Sequence, residues 1–316
     1  MKSTLLILVL TLPCRAAFAE RITARRLSGN PIVTLASSST LGENINGPSL
    51  VRVPNWVRNP LGRYYLYFAH HAGQNIRLAY SDHLVGPWRI YEPGTLQLSA
   101  VPSCYDHIAS PDVHIDRKGK QLLMYFHCPA VTASETGIGQ QKTFLARSSD
   151  GLSFKAEPEP LGPAYFRVFE WRGHFYSVVR GGSVLRSTSI GKPFETGPHL
   201  FPSIPDVLLR HAAVDRRGDK LYVYYSRIGD KPERILVSTV ALSRNWLTWR
   251  GSEPTTVLAP ATSYEGADQP IERSGLGDAQ GVHQLRDPAI YREGTKTYLL
   301  YSIAGESGIA IAEIRY

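Results

Sequence analysis

The sequence predicts an all-β fold, a five-bladed β-propeller, on three observations. A two-stranded unit recurs five times along the chain, most copies continue into a third and fourth strand, and the last copy ends one strand short. Radial repetition of four-stranded sheets is propeller architecture. A β-sandwich gives no reason for five matched hairpins.

The first unit opens with Gly47-Pro48-Ser49-Leu50-Val51-Arg52-Val53 and returns, after Pro60-Leu61-Gly62, through Tyr64-Tyr65-Leu66-Tyr67-Phe68. The second runs Ser110-Pro111-Asp112-Val113-His114-Ile115, turns at Lys118-Gly119-Lys120, and returns through Leu122-Leu123-Met124-Tyr125-Phe126. The third pairs Tyr165-Phe166-Arg167-Val168-Phe169 with Phe175-Tyr176-Ser177-Val178-Val179, and the fourth pairs His211-Ala212-Ala213-Val214 with Leu221-Tyr222-Val223-Tyr224-Tyr225. The fifth pairs Arg286-Asp287-Pro288-Ala289-Ile290-Tyr291 with Thr297-Tyr298-Leu299-Leu300-Tyr301-Ser302 about a charged turn at Gly294. β-Branched and aromatic residues dominate these runs and glycine-bearing turns separate them, the pattern of strands. Counted from Pro48, Pro111, Tyr165, His211 and Asp287, the copies start 63, 54, 46 and 76 residues apart, which is blade-sized with variable loops. Third strands follow at Ile76–Asp82, Thr143–Asp150 and Ile235–Thr239, and fourth strands carry aromatics such as Trp88, Tyr91 and Phe154. The final unit stops after Gly308–Ile314, so an N-terminal strand near Asn30-Pro31-Ile32-Val33-Thr34 is expected to close the ring.

Residues 1–19 read as a signal peptide: Lys2, an apolar core from Leu5 to Pro13, and the small-x-small site Ala17-Phe18-Ala19. A secreted or periplasmic protein is expected, with one propeller domain over 20–316. The apolar core is too short to span a bilayer, so no membrane span is expected. Removal of Lys2 and Arg15 lowers the formal charge from +8 to +6. These charges are dispersed, which argues for solubility and against nucleic-acid recognition. Cys104 and Cys128 flank the first hairpin of the second blade, and an oxidising compartment permits their pairing. The hairpin register, however, sets Cys128 nearer residue 108 than 104. A monomer without cofactor or metal is expected.

A blade's first strand leaves one face of the propeller and its second returns to it. Loops entering first strands and leaving second strands therefore share a face. The entering loops carry Asn44 and Asn46, Asp106 and His107, Arg210 and His211, and the long segment from Tyr264 to Asp287. The leaving loops carry His70 and His71, His127, Arg180, Asp230 and Glu233, and Glu306. The opposite face has short solvated turns, so function is expected on the loop-rich face.

With Arg286-Asp287-Pro288-Ala289-Ile290-Tyr291, Ser110-Pro111-Asp112-Val113-His114 and Ser81-Asp82…Gly86-Pro87-Trp88, the chain resembles the five-bladed glycosidases of the arabinanase and β-xylosidase type, and more distantly the β-fructosidases. The resemblance implies a carbohydrate substrate and an axial funnel holding three carboxyl groups: a general base, a general acid and one that tunes the acid. It also implies a central histidine, sometimes beside a bound ion at the axis. Two departures stand out. The first blade reads Asn46-Gly47-Pro48, where the family has Asp-Pro, and the middle-blade Glu-Gly-Pro is replaced by Leu161-Gly162-Pro163.

Glycoside hydrolysis needs one protonated and one ionised carboxyl group across the scissile bond. The candidates are Asp287, at the start of an inner strand, Asp112, Glu272 of the acid-rich loop, and either Glu265 or Asp268 of that loop as proton donor, with Glu306, Asp230 and Glu233 behind them. Asp112 also suits a plain role bonding backbone donors at a strand start. Asn46, His107, Tyr165, Arg167, Arg210, His211 and Arg286 are the candidate substrate-binding residues, with His211 and His107 in support of the centre. A glycan-binding propeller that has lost catalysis with the first-blade aspartate is the alternative.

Overall fold

The computed structural model describes residues 22–132 and 140–316, so the expected signal peptide lies outside the described residues. Five antiparallel sheets are arranged as the blades of a propeller. Their inner strands are Asn46–Arg52, Ala109–Asp116, Arg167–Trp171, Leu209–Arg217 and Arg286–Glu293. The second strands are Tyr64–Ala69, Gln121–Pro129, His174–Val178, Lys220–Arg227 and Lys296–Ser302. No described helix is long and apolar enough to cross a membrane.

The second strands read as unbroken apolar runs because each is covered on both faces by a neighbouring blade. Alternate side chains point to opposite faces. Tyr65 and Tyr67 therefore pack with Leu122, Met124 and Phe126 of the second blade, while Tyr64, Leu66 and Phe68 pack with Leu300, Ile309 and Ile311 of the fifth. The same alternation builds an apolar layer between every adjacent pair of blades. The core is thus five wedges around an axis.

The ring closes as expected in kind, but the closing strand lies earlier than the sequence suggests. Thr23–Arg26 pairs with Ala312–Arg315, and only Val33–Thr34 of the expected segment pairs with the same strand, at Gly308 and Ile309. Arg26 fixes this junction: its guanidinium donates to both oxygens of Glu265 at 2.7 Å, and to Ala259 O at 2.7 Å.

Four of the five inner strands shift register near their first residues, between 46 and 49, 109 and 112, 209 and 212, and 286 and 289. Such bulges re-aim a side chain. Gly47, Ser110 and Asp287 each precede a proline in these bulges with φ of 58°, 49° and 47°, and Tyr165 before the third strand has 66°. Glycine suits position 47, since a Cβ there would also sit 3.2 Å from Ser110 Cα.

Cys104 and Cys128 form a disulfide with Cα atoms 5.7 Å apart. The register objection fails because the chain between 104 and 109 arches outward, with Asp106 at φ 69°, and Cys104 bridges Ala130 instead. The bond fastens the loop bearing His107 to the strand end bearing His127.

Candidate functional site

The loop-rich face gathers a buried polar cluster around the axis. Asp287, fully buried, accepts from His211 Nδ1 at Oδ1 and from Ser302 Oγ at 3.1 Å at Oδ2. Burial, reinforced by the Arg167 and Arg210 guanidiniums, holds the His211 pKa well below its ordinary value. A neutral imidazole whose Nδ1–H donates to the carboxylate satisfies both groups. Tyr165 packs between two histidines, with ring centroids 4.2 Å from His211 and 4.1 Å from His127. Arg180 lies over its ring at 5.8 Å. His127 is likewise kept neutral, first by burial and then by His107 and Arg167.

Beside this stack runs an ion-pair chain. Arg286, 1% exposed, reaches Glu306 Oε1 through Nη1 and lies against Glu233 Oε2 through Nε, both at 3.2 Å. Its Nη2 donates to Gln284 Oε1 at 2.6 Å. Arg210 donates to Glu233 Oε1 at 2.9 Å and to the carbonyls of Gly275 and Gly277 at 2.5 and 3.0 Å. Ser226 Oγ adds a bond to Glu233 at 2.7 Å. On the other side, Glu306 Oε2 accepts from the amides of Asn44 and Asn46 at 2.7 and 2.8 Å, and His71 Nδ1 stands 3.5 Å away. Burial opposes ionisation of Glu306, but His71, Asn46 and Arg286 outweigh it and bring its pKa from 4.5 to about 2. The same contact with Glu306 raises the His71 pKa.

The expected site residues divide by place. Asp287, Asn46, Tyr165, Arg210, His211 and Arg286 meet at the axis. Arg286 points away from its neighbour Asp287 and serves Glu306 and Glu233. Arg167 is buried beneath Tyr165, donating from Nη1 to Phe166 O at 2.9 Å. His107 bonds Asp106 at 2.8 Å and meets the cluster through His127, with centroids 6.2 Å apart.

Asp112 faces the axial channel below, in a cavity of about 130 Å³ shared with Ser49, His114 and Arg167. Its Oδ2 accepts from His114 Nε2 at 2.8 Å and from Val168 N at 2.9 Å, the structural role open to it from sequence.

The proton-donor candidates lie elsewhere. Glu265 is fully buried at the ring closure, where Arg26, Tyr301 Oη at 2.8 Å and Ala261 N at 2.8 Å occupy its carboxylate. It clamps the closing strand and does not reach the axis. Asp268 is exposed on the loop, and among the described residues no hydrogen bond or ion pair joins it to the cluster.

Glu306 and Glu233, which stand behind the leading carboxyl candidates in the sequence reading, belong to the centre, as do His71 and His127, which the sequence marks only by their loops. Among the described residues no three His, Cys, Asp or Glu side chains are arranged to hold a metal. The surroundings of His211 also do not suit a cation, because guanidiniums face it and its Nδ1 is spent on Asp287.

No family model matches the chain. Among solved structures it is similar to a β-xylosidase/α-arabinofuranosidase from a compost microbial metagenome, with TM-score 0.60 and 12% identity over 93% of this chain and 94% of that one. It is also similar to a Xanthomonas citri enzyme complexed with xylose, with TM-score 0.58 and 14% identity over 86% and 87% of the two chains. An exo-1,5-α-L-arabinanase from a bovine ruminal library gives TM-score 0.54 and 12% identity over 86% and 92%. In sequence, an uncharacterized protein of Acanthamoeba polyphaga mimivirus is 36% identical over 301 residues, covering 86% of this chain and 83% of that one. The chain therefore belongs to one family with the mimivirus protein, and that family has the five-bladed β-propeller fold of the arabinanase and β-xylosidase glycosidases.

Proposed function

We propose that this protein is a secreted carbohydrate-recognising propeller in which the acid–base machinery of glycoside hydrolysis is not assembled. One observation carries the reading: the carboxylates gathered at the axis are each buried against a base, Asp287 on His211, Glu233 on Arg210 and Arg286, and Glu306 on Arg286 and His71. A general acid needs a carboxyl group whose proton is retained near neutrality, which burial among apolar groups supplies and a guanidinium removes. Gly47 stands where the resembling Asp-Pro motif has its carboxylate, so that position offers no base, and the neighbouring Asn46 donates to Glu306. Carbohydrate recognition itself is supported by the fold and by the aromatic, amide and guanidinium groups on this face. The disulfide supports an oxidising compartment.

A second reading, hydrolysis, is favoured by one feature. Glu233 and Glu306 grip the same guanidinium, so they stand no farther apart than the ~6.5–9.5 Å of inverting carboxyl pairs. The test is a panel of arabinans, xylans and galactans read both for binding and for release of reducing sugar. Binding without release is the expected result. Release that disappears in a folded Glu306→Gln variant would establish hydrolysis, and absence of binding across the panel would remove carbohydrate recognition.

A further inference from the structure

A cleft of about 280 Å³ opens on the loop-rich side of the first blade, outside the axial cluster. One wall is the loop from His70 to Asn75 with Arg77 behind it, and the other is Tyr91, Glu92 and Thr40. Its volume lies just below the range of ligand pockets, about 300–1,000 Å³, which suits a single sugar residue.

The charge in this cleft is unbalanced at one end. Arg77 is half-buried on the third strand of the blade, and its Nη1 donates to Asn44 O at 2.8 Å. No carboxylate pairs with it among the described residues, and burial alone lowers its pKa to about 10, so it remains a cation at neutral pH. A guanidinium has five donors in a planar fork, and a desolvated cation without a counter-charge is costly. His70 stands beside it. Its Nδ1 accepts from Ala72 N at 3.0 Å, and burial with Arg77 nearby lowers its pKa, so the neutral ring carries its proton on Nε2 as a further donor. At the far wall the order reverses. The Glu92 carboxylate is pinned by Ser38 Oγ at 2.8 Å and by Thr40 Oγ1, presenting acceptors.

We infer that this cleft binds an acidic sugar residue, its carboxylate or sulfate ester held by Arg77 and His70 and its hydroxyls turned towards Glu92. The sugar half of the inference rests on the carbohydrate reading above; the anion half rests on Arg77 and His70. Asn44 joins the cleft to the axis, since its carbonyl accepts from Arg77 while its side-chain amide donates to Glu306.

Isothermal titration of the full protein with four probes tests it: a uronic-acid disaccharide, its methyl ester, a sulfated neutral disaccharide and inorganic sulfate. The acidic sugars are expected to bind and the methyl ester to bind at least tenfold more weakly. Arg77→Gln should weaken the acidic probes by roughly 10- to 100-fold, the value of one charged hydrogen bond. His70→Ala, a change at a half-buried loop position, should weaken them in the same direction. The carboxylate and sulfate arms show which anion is preferred. Sulfate binding that depends on Arg77, without any sugar binding, keeps the anion site and removes the carbohydrate reading. Equal binding of acid and methyl ester, indifference to both substitutions, or no binding by any probe overturns the inference.

Discussion

Replacing Glu306 by glutamine removes one charge from the centre of the axial cluster while keeping the side chain's shape. Four groups converge on that carboxylate: the amides of Asn44 and Asn46, Arg286, and His71. Glutamine turns one acceptor into a donor facing donors, and leaves Arg286 almost fully buried with only Glu233 as counter-charge. The lowering of the Glu306 pKa from 4.5 to about 2 is the net of burial, which opposes the ionised form, and of these partners, which favour it more strongly. At 1.36 kcal/mol per pKa unit this is about 3 kcal/mol, the lower end of the range for breaking a buried ion pair. For a chain of this size the loss corresponds to roughly 6 °C in Tm.

The pH dependence has a definite sign. A carboxyl group whose folded pKa is depressed stabilises the fold above its ordinary value, and that contribution is lost as pH falls through the folded one. The gap between parent and Glu306→Gln should therefore be full above pH 4.5 and close towards about 2. His71, raised by the same contact, contributes below its ordinary pKa and loses the contribution above its raised one. It is half-exposed, so solvent screens its share. Thermal melts across pH with both proteins provide the assay. A variant that melts with the parent at neutral pH, or a gap that widens as pH falls below 4.5, would refute the reasoning.

Further outcomes follow from the closure and the staple. Arg26→Ala strips the buried Glu265 of its bidentate partner and should cost about 3–5 kcal/mol, with early proteolysis of the N-terminal strand; equal proteolysis of parent and variant would show that the clamp does not hold the ring. Cys104→Ser with Cys128→Ser opens a loop closed across a separation of 24 residues, worth about 3–4 kcal/mol in the chain-entropy model, and denaturant melts under non-reducing conditions read the difference. Leu66→Ala, in the wedge between the first and fifth blades, should cost about 2–5 kcal/mol, seen as a lower denaturation midpoint at unchanged slope.

The blades were legible because their signal is local and repeated. Each inner hairpin carries its strands and turn within one short stretch, and the five copies check one another. The loop-rich face followed from strand direction alone, which is why Glu306, Glu233, His71 and His127 could be assigned to it. What local sequence does not contain is partnership across the ring. Thr23–Arg26 is polar and alternates exposed with half-buried positions, so it gives no apolar pattern, and its role exists only where Arg315 and Glu313 lie opposite. Glu265 looked like a proton donor among apolar neighbours, yet its chemistry is set by Arg26, 239 residues away. The ionised state of Glu306 likewise depends on Arg286 and Asn46, supplied by other strands.

The strand-start bulges separate what the fold keeps from what chemistry requires. Gly47, Ser110, Tyr165 and Asp287 occupy left-handed backbone around the axis, a conformation costing on the order of 1–3 kcal/mol for a non-glycine residue held there. Only Asp287 among these four carries a carboxyl group, and it is committed to His211 and Ser302. Because the strained backbone appears in blades with glycine, serine and tyrosine alike, it belongs to the way an inner strand enters the propeller. It is therefore no evidence of catalysis. On the reading proposed above, the carboxylates decide that question through their partners, and here the partners are arginines, two histidines and asparagine amides, which favour ionised, fixed anions. Such anions can orient ligand-binding side chains, but they do not hold the proton that a departing sugar oxygen needs.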